Sequence, residues 1–188
     1  MVNIEENQQE KLLVSAAQGD KQAFGLLYSR YLDEIYRFVF FKVGSKLTAE
    51  DITEETFLKT WESLPKIYNK GTKIENLRAW LYRTAKNLVI DHYRKKKPAY
   101  NIEHTRPSKE PLPEDLVLEE EISQDLIQSV QKLEPDHQEI IILRLINDLS
   151  HRETAEIMNI SEGNSRVLLF RALKKLKEIL VEKEGYHA

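Results

Sequence analysis

Residues 76–97, NLRAWLYRTAKNLVIDHYRKKK, carry the residue types with the most binding chemistry in the chain. Trp80, Arg83, Asn87, Asp91 and Arg94 recur at three- and four-residue steps, which puts them on one face of a helix. From Arg78 onward, the cations Arg78, Arg83, Lys86, Arg94, Lys95, Lys96 and Lys97 face only one acid in the stretch, Asp91. Cations hold phosphates without regard to sequence, a carboxamide can pair with a base edge, and an aromatic can stack on a base. A solvated basic face with Trp80 turned into a core is the other reading of the same spacing. Just upstream, Lys66, Lys70 and Lys73 surround Tyr68, a set that could receive an unstacked base. A second basic set, Arg166, Arg171, Lys174, Lys175 and Lys177, lies near the C-terminus. Asp51, Glu55, Leu58 and Glu62 step by four, three and four. They form either an acidic face for a partner's basic helix or a plain solvated one.

Covalent chemistry finds little support. With no cysteine, thiolate metal sites, disulfides and cysteine nucleophiles are excluded. The histidines at 92, 104, 137, 151 and 187 lack ligand spacing, and the six glycines form no phosphate-cradling loop. No enzyme, metal or cofactor is expected. No apolar run approaches the roughly 20 residues of a membrane span, and Glu5, Glu6 and Glu10 do not fit a secretory leader. A cytoplasmic protein without membrane insertion is expected. The formal net charge is −3, yet residues 1–97 carry 17 cations and 13 anions while 119–188 carry 9 and 14. Basic character is therefore local, and acidic surface remains for another partner.

The elements that must position these residues all read as helices. Phe24, Leu27, Tyr28, Tyr31, Ile35 and Phe38 recur at helical period, with a break expected at Gly19-Asp20 and an end at Gly44. Thr48 is expected to open the next helix, burying Phe57, Trp61 and Leu64; Pro65 to Glu75 reads as a loop. In 76–97, Leu77, Leu81, Ala85, Leu88 and His92 form the packed stripe. Four of the six prolines, Pro98, Pro107, Pro111 and Pro113, mark a flexible linker. The expected architecture is all-α: a domain at 1–97, a linker at 98–118 and a second domain at 119–188. In the second, Ile122, Leu126, Val130 and Leu133 face inward, Pro135 begins a short helix, and Ser150 to Glu153 is a capping box. Ala155 and Met158 face inward, Asn159 fits a left-handed turn, and Ser161 caps a last helix striped by Leu169, Leu173, Leu176 and Leu180. Short helix, tight turn and longer basic helix make a helix-turn-helix pattern.

Together the two halves resemble bacterial RNA polymerase sigma factors of the extracytoplasmic-function (ECF) group, which keep only regions two and four. AFGLLYSRYLDEIYRFV (23–39) is similar to the start of region two, AEDITEETFLKTW (49–61) to its polymerase-binding helix, and NLRAWLYRTAKNLVIDHYR (76–94) to its promoter-reading helix. Residues 133–176 resemble region four. The resemblance implies an alternative sigma factor that binds core polymerase and directs initiation at −10 and −35 elements. It implies that Asp51, Glu55, Leu58 and Glu62 meet the β′ clamp helices and that region four meets the β flap. Lys66, Tyr68, Lys73, Trp80, Arg83, Asn87 and Arg94 would contact the −10 element, with a flipped base held by 65–75. Ser161, Asn164, Arg166, Arg171, Lys174 and Lys175 would contact the −35 element, and the acidic linker would thread the RNA exit path. A separate anti-sigma factor is the expected control. The chain departs from the family at 163–172, where GNSRVLLFRA stands for a common GTVKSRLHRA. Leu168 replaces an arginine there and Ser165 an inward valine. Two other readings remain open: a helix-turn-helix regulator that binds operators alone, and a polymerase-binding module without promoter specificity.

Overall fold

The computed structural model describes residues 4–96 and 124–184. They form helices and turns, with no strand among them, as expected. The linker expected at 98–118, and the inward position of Ile122, lie outside the described residues.

In the N-terminal half, α1 (Ile4–Ala17) and α2 (Lys21–Val43) are separated by Gly19 at φ 95°. Asp20 caps α2 by accepting from the backbone N–H groups of Gln22 and Ala23. Gly44, at φ 69°, closes α2 by donating to the Phe40 carbonyl, a left-handed cap that costs glycine little. The next helix, α3 (Lys46–Asn69), starts earlier than its spacing predicts, because Ser45 and not Thr48 is its cap, the Ser45 hydroxyl accepting from Thr48 N–H. It also runs through Pro65, so residues 65–69 are helical and the loop is confined to about 70–76. Proline's φ suits a helix, and the loss of one backbone bond is offset by burial of Leu64 and partial burial of Ile67 and Tyr68. Asn76 caps α4 (Leu77–Lys96) through its side-chain oxygen on Ala79 N–H.

The C-terminal half holds α5 (Gln124–Gln131), α6 (Pro135–Ile141), a π-helical turn (Ile142–Ile146), α7 (His151–Met158) and α8 (Glu162–Glu184). Pro135 occupies the first turn of α6, and the Ser150–Glu153 capping box and the left-handed Asn159 (φ 55°) form as their residue types predict. The π-helical turn was not legible. It adds a residue before the α7 cap and turns the Asn147 side chain toward the other half.

That side chain is one of several that join the halves. Arg37 Nε donates to Asn147 Oδ1 (3.2 Å), and Asn147 Nδ2 donates to the Glu34 carbonyl and the buried Tyr82 hydroxyl, both at 2.8 Å. Beside it, Arg78 pairs with Glu34 of α2 and Glu153 of α7. Glu139, 1% exposed, receives Lys86 at 2.8 Å and Lys42 at 3.8 Å. Phe38, Phe41, Tyr82, Ile127, Val130 and Ile140 to Leu143 belong to one continuous core. The cations Arg78 and Lys86, which sequence spacing left facing only Asp91, are thus matched by acids far away in the chain.

Burial pushes the Lys42 ammonium down to about 8, with neighbouring Lys86 adding to the shift and Glu139 and Asp136 opposing it. An unfolded lysine keeps its proton to about pH 10.4. Between these values the unfolded chain binds more protons, so stability rises with pH there; below about 8 both states are protonated and the term is flat. Burial raises the Tyr82 and Tyr93 hydroxyls, which acts oppositely above about pH 10. Urea unfolding is therefore expected to show a gain on the order of 1–3 kcal/mol between pH 8 and 10. Lys42→Met should flatten that gain; a variant with the wild-type slope would locate its origin elsewhere.

Candidate nucleic-acid and polymerase interface

The basic helix α4 is placed by its buried line, Leu77, Leu81, Ala85 and Leu88, with Tyr82 packed edge-on to Phe38 at 5.0 Å. This orients Arg83, Asn87 and Arg94 outward, all three exposed. Trp80 is half-buried, and its indole Nε1 is shielded with no hydrogen-bond partner among the described residues. Trp80 packs partly against the core and also lines a cleft.

That cleft, about 450 Å³, lies between the 70–76 turn and the start of α4. Lys73, Trp80 and Arg83 contribute to its wall, as do Ile67, Thr72 and Asn76, which sequence reasoning missed. Ile67 could not be placed while 65–69 was read as a loop. Lys66 is exposed elsewhere, and Tyr68 packs against the core. Lys73 pairs with Glu10 of α1 at 3.0 Å. Its ammonium is held above its usual range by that hydrogen bond and charge. Arg94 pairs with Asp91 at 3.2 Å. The mouth of the cleft is shared with α7, where Glu156 lines it and its carbonyl accepts from Arg83 Nη2 at 2.9 Å. The cleft thus brings together Trp80, the cations Lys73 and Arg83, the apolar Ile67 and Ile74 and the acids Glu75 and Glu156, with Asn87 two turns beyond Trp80 on the same helix.

On α3, burial of Ile52, Phe57 and Leu64 turns Asp51, Glu55, Leu58 and Glu62 outward, and all four are exposed. Glu55 also pairs with Lys59. Leu47, 70% exposed, continues the line one turn earlier; it was missed because the helix was expected to start at Thr48. Beside this stripe runs an apolar groove of about 370 Å³ lined by Phe24, Tyr28, Phe57, Leu58 and Trp61. Phe24 meets Trp61 edge-on at 5.0 Å, and Tyr28 lies 4.7 Å from Phe57. Trp61, expected to be buried, is therefore half-exposed as a groove wall.

In α8, Ser161 caps the helix by accepting from Asn164 N–H at 3.1 Å. The inward line is Ser165, Ala172 and Leu176. Leu173, expected to face inward, is 41% exposed, because it is about 100° of helical turn from Ala172. Ser165, the replacement for an inward valine, is fully buried with its hydroxyl 3.0 Å from His151 Nδ1. Burial, then the nearby Arg144 and Arg166, lowers the His151 imidazole below its usual range. Leu168, the replacement for an arginine, packs partly on the core. Asn164, Arg166, Arg171, Lys174 and Lys175 are exposed, Arg166 pairing with Glu162 and Lys175 with Glu178. No described helix is long and apolar enough to cross a membrane, and no described group of histidines and acids could hold a metal ion.

Comparison with known proteins shows the family of the chain. Residues 27–98 match the model of Sigma-70 region 2, and residues 123–176 match that of Sigma-70 region 4. ECF RNA polymerase sigma factor BldN of Streptomyces coelicolor is 37% identical over 176 residues, covering 90% of this chain; the chain spans only 65% of BldN. ECF RNA polymerase sigma factor SigW of Bacillus subtilis is 31% identical over 183 residues, covering 91% of this chain and 96% of SigW. The solved structure of CnrH in complex with the cytosolic domain of CnrY superposes with a TM-score of 0.67 at 23% identity, covering 93% of this chain and 98% of CnrH, a likeness of fold. On the two region models and the near full-length match to SigW, the chain belongs to the ECF group of RNA polymerase sigma factors, the proteins that direct transcription initiation.

Proposed function

We propose that this chain acts in the cytoplasm as an alternative sigma factor, without a catalytic centre of its own. Residues 1–97 bind core polymerase and the −10 element, 98–118 connect, and 119–188 bind the −35 element and the β flap. The observation that carries this reading is the cleft walled by Lys73, Trp80 and Arg83 beside the exposed Asn87. An unstacked base fits between the indole and the 70–76 turn, while Arg83 and Arg94 hold phosphates on either side of Asn87. Because Glu156 occupies the mouth and ties down Arg83, α7 withdraws when DNA enters. Asp51, Glu55, Leu58 and Glu62, joined by Leu47, meet basic helices of the β′ subunit. The apolar groove along them receives a side chain of that partner or of a separate anti-sigma factor.

Gel filtration of the full chain mixed with core RNA polymerase tests the proposal. Stoichiometric co-elution is the expected result. A chain that elutes apart from core, yet binds palindromic duplex as a dimer, would be a stand-alone regulator instead.

A further inference from the structure

The outward face of α8 carries an apolar pair where a DNA-reading helix would be expected to carry polar groups. The buried residues Ser165, Ala172 and Leu176 define its inward direction. At 100° per residue, Val167 and Phe170 fall within roughly 40° of directly outward, with Arg166 and Arg171 on opposite flanks. Both apolar side chains are open, Val167 at 49% and Phe170 at 72%. Lys174 continues the same outward line one turn later.

A single exposed apolar side chain needs no explanation, but this pair sits in the first half of the helix, between two arginines. In helix-turn-helix proteins that half reaches the base edges. Of the groups that distinguish one base pair from another in the major groove, the 5-methyl of thymine is the bulky apolar one, while the others donate or accept hydrogen bonds. Flanking guanidiniums fit phosphates or guanine edges, and they would seat the apolar pair over the groove floor.

We propose that Val167 and Phe170 read thymine methyl groups in the −35 element, giving this chain a preference for T·A pairs at two neighbouring positions. The proposal rests on α8 being the −35 reader. It assigns to two side chains a specificity that the arginines and lysines around them cannot supply.

The test starts with holoenzyme, formed from the full chain and core polymerase, selecting from duplexes randomised across the −35 position. Enriched duplexes are then made with deoxyuridine in place of each selected thymidine, which removes one methyl and keeps the base pairing. Wild type is expected to lose roughly fourfold in affinity per contacted methyl. Phe170→Ala and Val167→Ala should each bind the thymidine duplex more weakly and become insensitive to deoxyuridine at one position. Both residues are exposed, so unchanged circular dichroism should accompany the loss. Selection without enriched T·A pairs, wild-type indifference to deoxyuridine, or variants as sensitive as wild type would each overturn the proposal. An apolar protein partner at this face would show as the last of these. If no sequence is selected at all, the −35 role of α8 fails along with it, whereas a selected but methyl-blind helix leaves that role standing.

Discussion

Asp51→Arg combined with Glu55→Arg is expected to abolish binding to core RNA polymerase, with a loss of more than about 100-fold in affinity. Both carboxylates are exposed on the outward line of α3, and the proposed partner surface is basic. Reversing two charges places like charges face to face across the interface, which costs several kcal/mol. Glu55 pairs with Lys59, and an exposed pair of this kind contributes little to stability. Thermal unfolding should therefore move by no more than surface substitutions usually cause, about 0.5 kcal/mol. Leu47→Ala should weaken the same binding to a lesser degree. Unchanged affinity for core in the double variant would remove the β′ assignment of α3.

Asn87→Ala is expected to change which −10 sequences are transcribed, while Arg83→Ala lowers output on every promoter. Asn87 is exposed and makes no side-chain hydrogen bond among the described residues, so its amide is available to pair with a base edge. Loss of a bidentate contact should remove about 1–3 kcal/mol of discrimination at one position and leave total affinity nearly intact. Arg83 is a sequence-blind phosphate holder in this account, and its removal should also flatten the salt dependence by about one charge. If Asn87→Ala keeps the wild-type order of −10 sequences, its role in specificity fails.

Much of this arrangement was legible from residue type and spacing. Asp20, Gly44, Ser150 and Asn159 announced helix ends because each satisfies a backbone group locally. The outward lines of α3 and α4 followed from periodicity, since their opposite faces are strongly apolar. Pro65 misled because a local rule was overridden by burial of Leu64 three-dimensionally, on residues distant in sequence. The π-helical turn and its dependent Asn147 contacts were hidden for the same reason: their partners Glu34, Arg37 and Tyr82 lie 65 to 113 residues away. Leu173 was misplaced because four leucines at helical spacing outweighed a fully buried serine and alanine in α8. The cleft at Trp80 combines a turn, a helix start and Glu156 of α7, and no pattern within one segment could have shown it whole.

Run-off transcription by reconstituted holoenzyme, over templates randomised at the −10 and −35 elements, bears most directly on the central claim. Core polymerase with this chain is expected to initiate from a restricted set carrying both elements, and core alone should initiate from none of them. Asn87→Ala should reorder the −10 members of that set while leaving its −35 members as they are. Initiation that is no more selective with the chain than without it would contradict the account.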